Sequence, residues 1–350
     1  MDGIELEIVW SNIISIVSEQ AKALQRIAFS PIVREAGDLA NALFDKRGRM
    51  VAQAVTGTPG HINSLAAAGK HFVEAFPTQT LREGDVLITN DPWLSAGHFF
   101  DITVMLPAFH KGKLIGFFGS TIHHTDIGGY GVGAGARDVH EEGLWIPMLK
   151  LYDAGEPNKT LFEMIRRNVR TPDHVFGDLA AQVSSARLAG KRLSALLDRQ
   201  GYEDIDELSE EIISRSEKAT RESIRKLKAG TYHGESSFDV PGGDVITLKT
   251  AVTIDPKLGE IIIDFAGSSG PSPYGINVVM NYTHAYSTFA IRSCLDPELP
   301  NNFGSLAPIK VVAPEGCIVN CKYPVPVNAR HVVGMYVPMP ILKALYHVMP

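Results

Sequence analysis

The feature that most constrains this chain is a cluster of polar residues placed at the ends of apolar, strand-like runs. Five of its twelve histidines fall in a short part of the 350-residue sequence, and they are His98, His110, His123, His124 and His140. Two aspartates, Asp101 and Asp126, are embedded in apolar sequence beside them. This crowding of imidazoles and carboxylates predicts a functional site that the fold must accommodate.

Short apolar runs around the cluster predict β-strands. Val86–Thr89 has the length of a buried strand, and Pro92 follows soon after it and stops the ladder. The runs Ile102–Leu106 and Leu114–Phe118 are joined by a glycine-containing turn and predict a hairpin. The second strand of this hairpin leads the chain directly to His123.

Helical patterns dominate two other parts of the chain. Apolar residues recur at three and four spacing over Glu5–Phe29, and again over His61–Phe76, which predicts amphipathic helices. Residues 159–228 are almost entirely helical in pattern, and we expect interruptions at Gly190 and Gly201. This part of the sequence predicts a scaffold of two or three helices.

Strand-like runs return after residue 231, with a helix near Ala285–Cys294 and a proline-rich strand tail. The chain therefore predicts an α+β fold in which β-hairpins surround the site and a helical block occupies the middle. We expect three regions: an N-terminal α/β region with the site motifs over residues 1–155, a helical region over 156–230 and a β-rich C-terminal region over 231–350.

Composition limits the class of protein. The formal net charge is −6 and no basic tract is present, so the chain lacks the electrostatic footprint of a protein that binds nucleic acid or an anionic membrane. Its three cysteines contain no CxxC pair, which indicates neither a disulfide framework nor a zinc-cysteine site. No apolar run reaches the about 18 residues of a membrane span, and the first residues do not resemble a signal peptide. We expect a soluble cytoplasmic protein.

Four side chains have the chemistry and the placement to hold one divalent cation, and they are Asp101, His123, Asp126 and His140. His123 and Asp126 are three residues apart where a strand passes into a loop, and Asp101 begins the paired strand and can lie opposite. Mixed imidazole and carboxylate ligands favour zinc, manganese or iron over calcium or magnesium. Spacing alone leaves the alternative open that these residues are hydrogen-bonded parts of the core.

His124 would point to the opposite face from His123 if the strand continued to that point, so the two cannot easily bind the same ion. We predict that His124 acts as a general acid or base or supports the ligands, and the alternative is a satisfied core histidine.

The glycine-rich stretch Gly128–Gly135 predicts a loop, but it lacks the Lys-Ser/Thr ending of a P-loop and the context of a dinucleotide-binding fold. The sequence shows no nucleotide-binding motif of its own.

At these residues the chain resembles the hydantoinase B/5-oxoprolinase family. The family pattern Asn-Asp-Pro-Tyr, two glycines, Thr-His, two residues and Asp aligns without a gap on Asn90–Asp101. Its pattern His-His-Ala-Asp/Glu-Ile-Gly-Gly matches His123–Gly129, and further similarity covers Asn301–His331. Trp93 stands for the usual tyrosine, and Ser95 with its neighbour Ala96 replaces the glycine pair.

The resemblance implies a subunit of an ATP-dependent cyclic-amide hydrolase, which opens a hydantoin, 5-oxoproline or lactam ring. A hydantoinase A-like partner would bind ATP and magnesium. This B-type chain would hold a divalent transition metal at Asp101, His123, Asp126 and His140, with His124 as the catalytic acid or base. We therefore expect a hetero-oligomer with a small-molecule substrate and no nucleic-acid or membrane partner.

Two alternatives follow from the same resemblance. The chain could be the metal-bearing subunit of an ATP-dependent ketone carboxylase of the acetone or acetophenone type. Family members usually continue beyond the equivalent of Pro350, so we expect a truncated or split member, and this favours a third reading as a catalytically silent assembly subunit.

Overall fold

The computed structural model describes residues 3–240 and 242–349, and this part of the chain combines two β-sheets with helices. The strands of the larger sheet are β1 (Leu39–Phe44), β2 (Met50–Gln53), β3 (Val86–Thr89), β4 (Asp101–His110), β5 (Lys113–His123), β6 (Leu149–Asp153) and β7 (Glu156–Pro157). They lie in the order β2-β1-β5-β4-β3-β6-β7. The strands of the smaller sheet are β8 (Gly230–Asp239), β9 (Val245–Asp255), β10 (Glu260–Asp264) and β11 (Ile309–Val312). Their order is β11-β10-β9-β8.

Helices cover these sheets, and the fold class is the predicted α+β. The helices are α1 (Gly3–Ile27), α2 (Pro31–Arg34), α3 (Pro59–Ala75), α4 (Lys159–Asn168), α5 (Pro172–Gln200), α6 (Asp206–Arg225), α7 (Met280–Cys294), α8 (Phe303–Leu306), α9 (His331–Gly334) and α10 (Pro338–Leu345). Among the described residues, none of these helices combines the length and the apolar character that a membrane span needs.

The larger sheet is covered on both faces. Leu43 and Phe118 belong to the core that includes α1 and α5, whereas Phe44 and Phe117 belong to the core beneath α3. All six residues of β1 are buried, as expected for a strand whose two faces are both covered. The two layers of helices therefore divide the side chains of each central strand between two environments.

The hairpin of β4 and β5 carries the polar cluster at its open end. Asp101, the first residue of β4, pairs directly with His123, the last residue of β5, so the predicted opposition of these two residues is confirmed. Side chains alternate along a strand, and His123 therefore lies on the same face as Phe117, beneath α3. Asp101 shares that face because directly paired residues project to the same side. His124 follows on the side of α5.

Helix α3 approaches the β1–β2 hairpin so closely that only glycine fits at the contact. A Cβ atom added to Gly69 would lie 2.3 Å from the carbonyl oxygen of Gly48 and 2.7 Å from the Phe44 ring. Gly48 occupies the hairpin turn with a φ of +76°, a conformation that favours glycine. This contact fixes the height of α3 above the sheet and, with it, the position of His61 in the first turn of α3.

Two expectations from the sequence are wrong. Gly190 does not interrupt the middle helices but lies inside α5, because helix packing along the sheet outweighs the low helix propensity of one glycine. Gly201 does end α5, in the left-handed conformation. The proline-rich tail is not a strand beyond β11, since Pro338 starts α10 in the first-turn position where proline is tolerated. The division into regions at residues 155 and 230 stays a prediction.

Two glycine substitutions should shift stability in opposite directions. We expect Gly69→Ala to lower the free energy of unfolding by about 1–3 kcal/mol, because its Cβ overlaps the Gly48 carbonyl. Gly190→Ala, where an added Cβ has no described atom within 4 Å apart from the backbone of its own helix, should raise it by about 0.5–1 kcal/mol. Urea unfolding followed by circular dichroism measures both. A stabilised Gly69→Ala protein would contradict the packing of α3 described here.

A candidate metal centre

One carboxylate, that of Asp101, is shared by three histidines and an arginine. Its Oδ1 lies 2.8 Å from Nε2 of His98 and 3.1 Å from Nδ1 of His123. Its Oδ2 lies 2.7 Å from Nε2 of His61 and accepts a hydrogen bond from Nη2 of Arg330. The Asp101 side chain is fully buried. Oδ1 therefore faces the imidazoles of His98 and His123, whereas Oδ2 is held by His61 and Arg330.

These residues come from four separate parts of the chain. The β4–β5 hairpin supplies Asp101 and His123, α3 supplies His61, and the segment before α9 supplies Arg330. His98 lies in the loop before β4, which passes close to Arg330 through Gly97. A Cβ at Gly97 would lie 2.7 Å from Cδ of Arg330, and the φ of +93° at this position also favours glycine.

The contacts at Oδ1 fit a shared metal ion. Nδ1 of His98 lies 2.8 Å from the carbonyl oxygen of Asn328, so Nδ1 carries the proton and Nε2 presents a lone pair. That Nε2 is buried and makes no hydrogen bond with any residue that the structure describes, although Oδ1 of Asp101 is 2.8 Å away. Two ligand atoms bound to one cation at about 2.0–2.2 Å lie roughly 3 Å apart. His98, Asp101 and His123 also form a group whose ligand atoms all lie within 4.8 Å of one another.

Ionisation at the centre is consistent with cation binding. Burial alone would raise the pKa of Asp101, but His61, His98 and Arg330 outweigh it and hold this pKa well below its usual range. Burial, with the charge of Arg330, lowers the pKa of His98 to about 3. Burial also works against the charged form of His61, yet Asp101 and Asp38 raise its pKa overall. A carboxylate and a neutral imidazole are the forms that bind metal ions.

A second layer of contacts orients His98. Oε1 of Glu142 accepts hydrogen bonds from the backbone N–H groups of Val327 and Asn328, at 2.6 and 2.7 Å. This fixes the segment whose Asn328 carbonyl accepts from His98. Burial outweighs the two N–H donors and raises the pKa of Glu142 to about 8. Groups that hold metal ligands in this way commonly affect metal affinity.

Two of the four predicted ligands, Asp126 and His140, do not belong to the group around Asp101. Asp126 accepts hydrogen bonds from the backbone N–H of Gly128 and from Nη1 of Arg170, both at 2.9 Å, and ties the glycine loop to the start of α5. His140 is exposed, and its Nε2 lies 2.8 Å from the hydroxyl of Tyr323. The roles of these two residues as ligands stay predictions.

His124 is fully buried on the opposite side of the hairpin from His123. Its Nε2 lies 3.4 Å from Oε1 of Gln182 on α5, and its Nδ1 has no hydrogen-bond partner among the described residues. Burial lowers the pKa of His124 to about 4, against the opposing charge of Asp178. The ring is therefore neutral near pH 7, and its predicted catalytic role stays a prediction.

Sequence reasoning did not assign His98, His61 and Arg330 to the centre. The spacing of three between His98 and Asp101 was the available signal, because both residues lie within the aligned motif of the loop and β4. No local pattern pointed to His61 or Arg330, which reach Asp101 across 40 and 229 residues of sequence.

Comparison with known proteins gives one family across the chain. Residues 2–350 match the family model described as Hydantoinase B/oxoprolinase. A relative from Methanocaldococcus jannaschii, named as uncharacterized protein MJ0963, is 32% identical over all of this chain and 62% of its own length. The chain thus spans less than two thirds of that relative.

Two solved structures share the fold. An ATP-dependent caprolactamase from Pseudomonas jessenii superposes with a TM-score of 0.87 at 27% identity, over 98% of this chain and 60% of that one. An acetone carboxylase in a nucleotide-free state superposes with a TM-score of 0.89 at 21% identity, over 99% of this chain and 48% of that one. At that identity the carboxylase shows the fold alone.

Metal analysis should separate the two sets of candidate ligands. We expect purified protein to hold close to one transition metal per chain and both His98→Ala and His123→Ala to lose it, because each removes a nitrogen next to Oδ1 of Asp101. Asp126→Asn and His140→Ala should keep it. Elemental analysis after purification without chelator is the measurement. If only Asp126→Asn and His140→Ala lose the metal, the ion is not bound beside Asp101. If the wild-type protein holds no metal, the proposed metal centre is wrong.

Arg330 should affect metal affinity through Asp101. We expect Arg330→Met to weaken metal binding by about 10–100-fold, because Oδ2 of Asp101 loses a partner and the carboxylate is free to turn. Calorimetric titration with Mn²⁺ or Zn²⁺ measures it. Arg292→Met is the matched control, since Arg292 is also buried but, among the described residues, donates only to the backbone carbonyls of Leu295, Asp296 and Leu299. Equal losses in both variants would show general destabilisation instead.

Proposed function

The chain belongs to the hydantoinase B/oxoprolinase family, and we propose that it is the metal-bearing B-type part of an ATP-dependent cyclic-amide hydrolase. Such an enzyme opens a hydantoin, 5-oxoproline or lactam ring. The observation that carries the proposal is the approach of His98 and His123 to Oδ1 of Asp101. The other oxygen, Oδ2, is held by His61. The similarity to a caprolactamase that depends on ATP supports the choice of a cyclic amide.

A divalent transition metal, namely zinc, manganese or iron, held by Asp101, His98 and His123 would polarise a carbonyl or phosphorylated oxygen or acidify a bound water. The protein groups hold the ligand atoms for this purpose. Arg330 and His61 keep Oδ2 of Asp101 occupied, so that Oδ1 stays directed at the imidazoles. These contacts remove the reorganisation that loosely held ligands would require during the reaction.

The two imidazole rings are held individually. The Asn328 carbonyl fixes the tautomer of His98 and leaves its Nε2 unprotonated. The Phe100 ring stacks on the His123 ring, with 5.4 Å between centroids and 11° between planes. These contacts limit ring rotation.

The contacts of His124 favour the supporting role among the roles predicted for it. Its backbone N–H donates to the Phe100 carbonyl at 2.8 Å, which closes the hairpin beyond the last pair of β4 and β5. Its ring lies against α5, where the Gln182 amide also donates to the backbone carbonyls of Ile102 and Ser120. His124 would then act on the centre through the position of His123 and Phe100.

We propose a hydantoinase A-like subunit as the partner that binds ATP and magnesium, and a cytoplasmic hetero-oligomer as the working form. Similarity to the family supports this arrangement. A bound partner would bring the nucleotide chemistry to a centre that this chain supplies.

Reconstitution with an A-type subunit tests the proposal. ATP-dependent opening of caprolactam, 5-oxoproline or hydantoin should require both chains, and His123→Ala should abolish it together with the metal. His124→Asn should keep the metal, and a loss of turnover by about 10²–10⁴-fold would identify it as the acid or base. A smaller loss would fit the supporting role. His174→Asn, at an exposed site on α5, is the control.

Other outcomes would replace this function with one of its alternatives. Carboxylation of acetone or acetophenone by the pair, without ring opening, would make the chain a ketone carboxylase subunit. Wild-type activity in both His123→Ala and His124→Asn would place catalysis elsewhere, and the chain would then serve assembly.

A further inference from the structure

We propose a second binding site, outside the metal centre, for a small organic monoanion with an apolar body. The site is a cavity of about 370 Å³ bounded by α3, α7, the β1–β2 turn and the segment from α8 to β11. This volume lies within the range of pockets that hold small molecules. None of the residues said above to surround Asp101 lines it, so the site does not rest on the proposed function.

One part of the cavity wall is apolar. Met280 on α7, Leu306 at the end of α8 and Ile309 and Val311 on β11 form this wall. Met280 and Val311 are partly exposed and supply the accessible apolar area, whereas Leu306 and Ile309 are almost completely buried. A ligand body that displaces water from this wall gains hydrophobic free energy in proportion to the apolar area that it covers.

Another part of the cavity wall is cationic. Arg47, Arg49 and Lys70 line it, and no described residue of its lining is acidic. Arg49 is engaged by Asp45 and Glu210, each at 2.7 Å. In the described part of the chain, the ion pairs of these three cations involve two carboxylates, Asp45 and Glu210, which leaves one positive charge without an ion-pair partner there.

Two of these cations can reach a ligand. Lys70 forms no ion pair within the described part of the chain, and Arg47 is 72% exposed with only a 3.5 Å contact to Glu210. A single negative charge on the ligand would balance the surplus. A cationic ligand would be repelled, and a neutral one would gain no charge attraction from these cations.

His284 adds a polar group without charge. Its ring lines the cavity, and its Nδ1 is buried without a hydrogen-bond partner among the described residues. Burial lowers the pKa of His284 to about 4, so the imidazole is neutral near pH 7 and keeps one N–H donor. A buried polar group without a partner costs free energy that a ligand oxygen can recover.

The arrangement defines the ligand. Its anionic group lies near Lys70 and Arg47, its body lies along Met280 and Val311, and an oxygen can accept from His284. Asn281 closes the cavity from α7, and its side-chain amide donates to the Trp93 carbonyl at 2.7 Å, in the loop that leads to His98. This combination of cations, an apolar wall and the neutral imidazole of His284 is not found in the metal centre.

Titration with 4-phenylbutyrate tests the site, with 4-phenylbutylamine and 4-phenylbutanol as probes of the same body and different charge. Calorimetry in EDTA measures affinity, and the ring-proton NMR signal of His284, assigned from His284→Gln, reports the location. We expect 4-phenylbutyrate to bind most tightly of the three and to shift this signal. Lys70→Glu should weaken its binding by about 5–10-fold, as expected for reversing a partly exposed charge.

Two further variants complete the experiment. Ala67→Phe should fill the cavity from α3 and abolish binding, and its thermal unfolding shows whether it folds. Lys22→Glu, on the exposed side of α1, is the charge control and should leave affinity unchanged. Equal binding of all three probes, equal effects of Lys70→Glu and Lys22→Glu, or no binding of 4-phenylbutyrate at millimolar concentration would each overturn the proposal.

Discussion

The buried carboxylate of Asp101 is the group around which the centre is organised. A fully buried negative charge is tolerated only when it is paired and hydrogen-bonded, and here four residues share that task. Arg330 and His61 neutralise Oδ2, while Oδ1 faces His98 and His123 without an aligned proton from His98. Compensation of the negative charge of Asp101 thus requires residues from a loop, a hairpin, a helix and a distant C-terminal segment. It leaves room for a cation only at Oδ1.

The larger sheet makes this arrangement possible because both of its faces are covered. Side chains alternate along β5, so His123 lies beneath α3 and the next residue, His124, lies against α5. Adjacent histidines therefore occupy different environments, one beside a carboxylate and one beside the Gln182 amide. The glycine contact between α3 and the β1–β2 turn holds His61 at hydrogen-bonding distance from Asp101. Packing far from the centre consequently sets its geometry.

The elements that the sequence predicted well are those specified by local pattern. Strand β3 has the predicted bounds, and the β4–β5 hairpin extends the predicted runs. The helices predicted over Glu5–Phe29 and His61–Phe76 differ from α1 and α3 by only one or two residues at each end. Gly201 ends α5 as its position suggested. Gly190 and the tail after β11 were misjudged because their conformations depend on tertiary packing, which a local propensity does not contain.

By itself, the sequence determined the family, the α+β class and the pairing of Asp101 with His123, because motif order and strand alternation are local properties. The tertiary structure alone decided which residues complete the centre. Arg330 lies 229 residues from Asp101, and no spacing rule connects them. Asp126, close in sequence to His123, is instead taken up by Arg170 and by the backbone of its own loop. Charges compensate one another according to their distance in space, which the order of residues in the sequence does not give. Only the packed chain could therefore show that protein groups satisfy Asp126, whereas Asp101 still faces an unpaired imidazole nitrogen of His98.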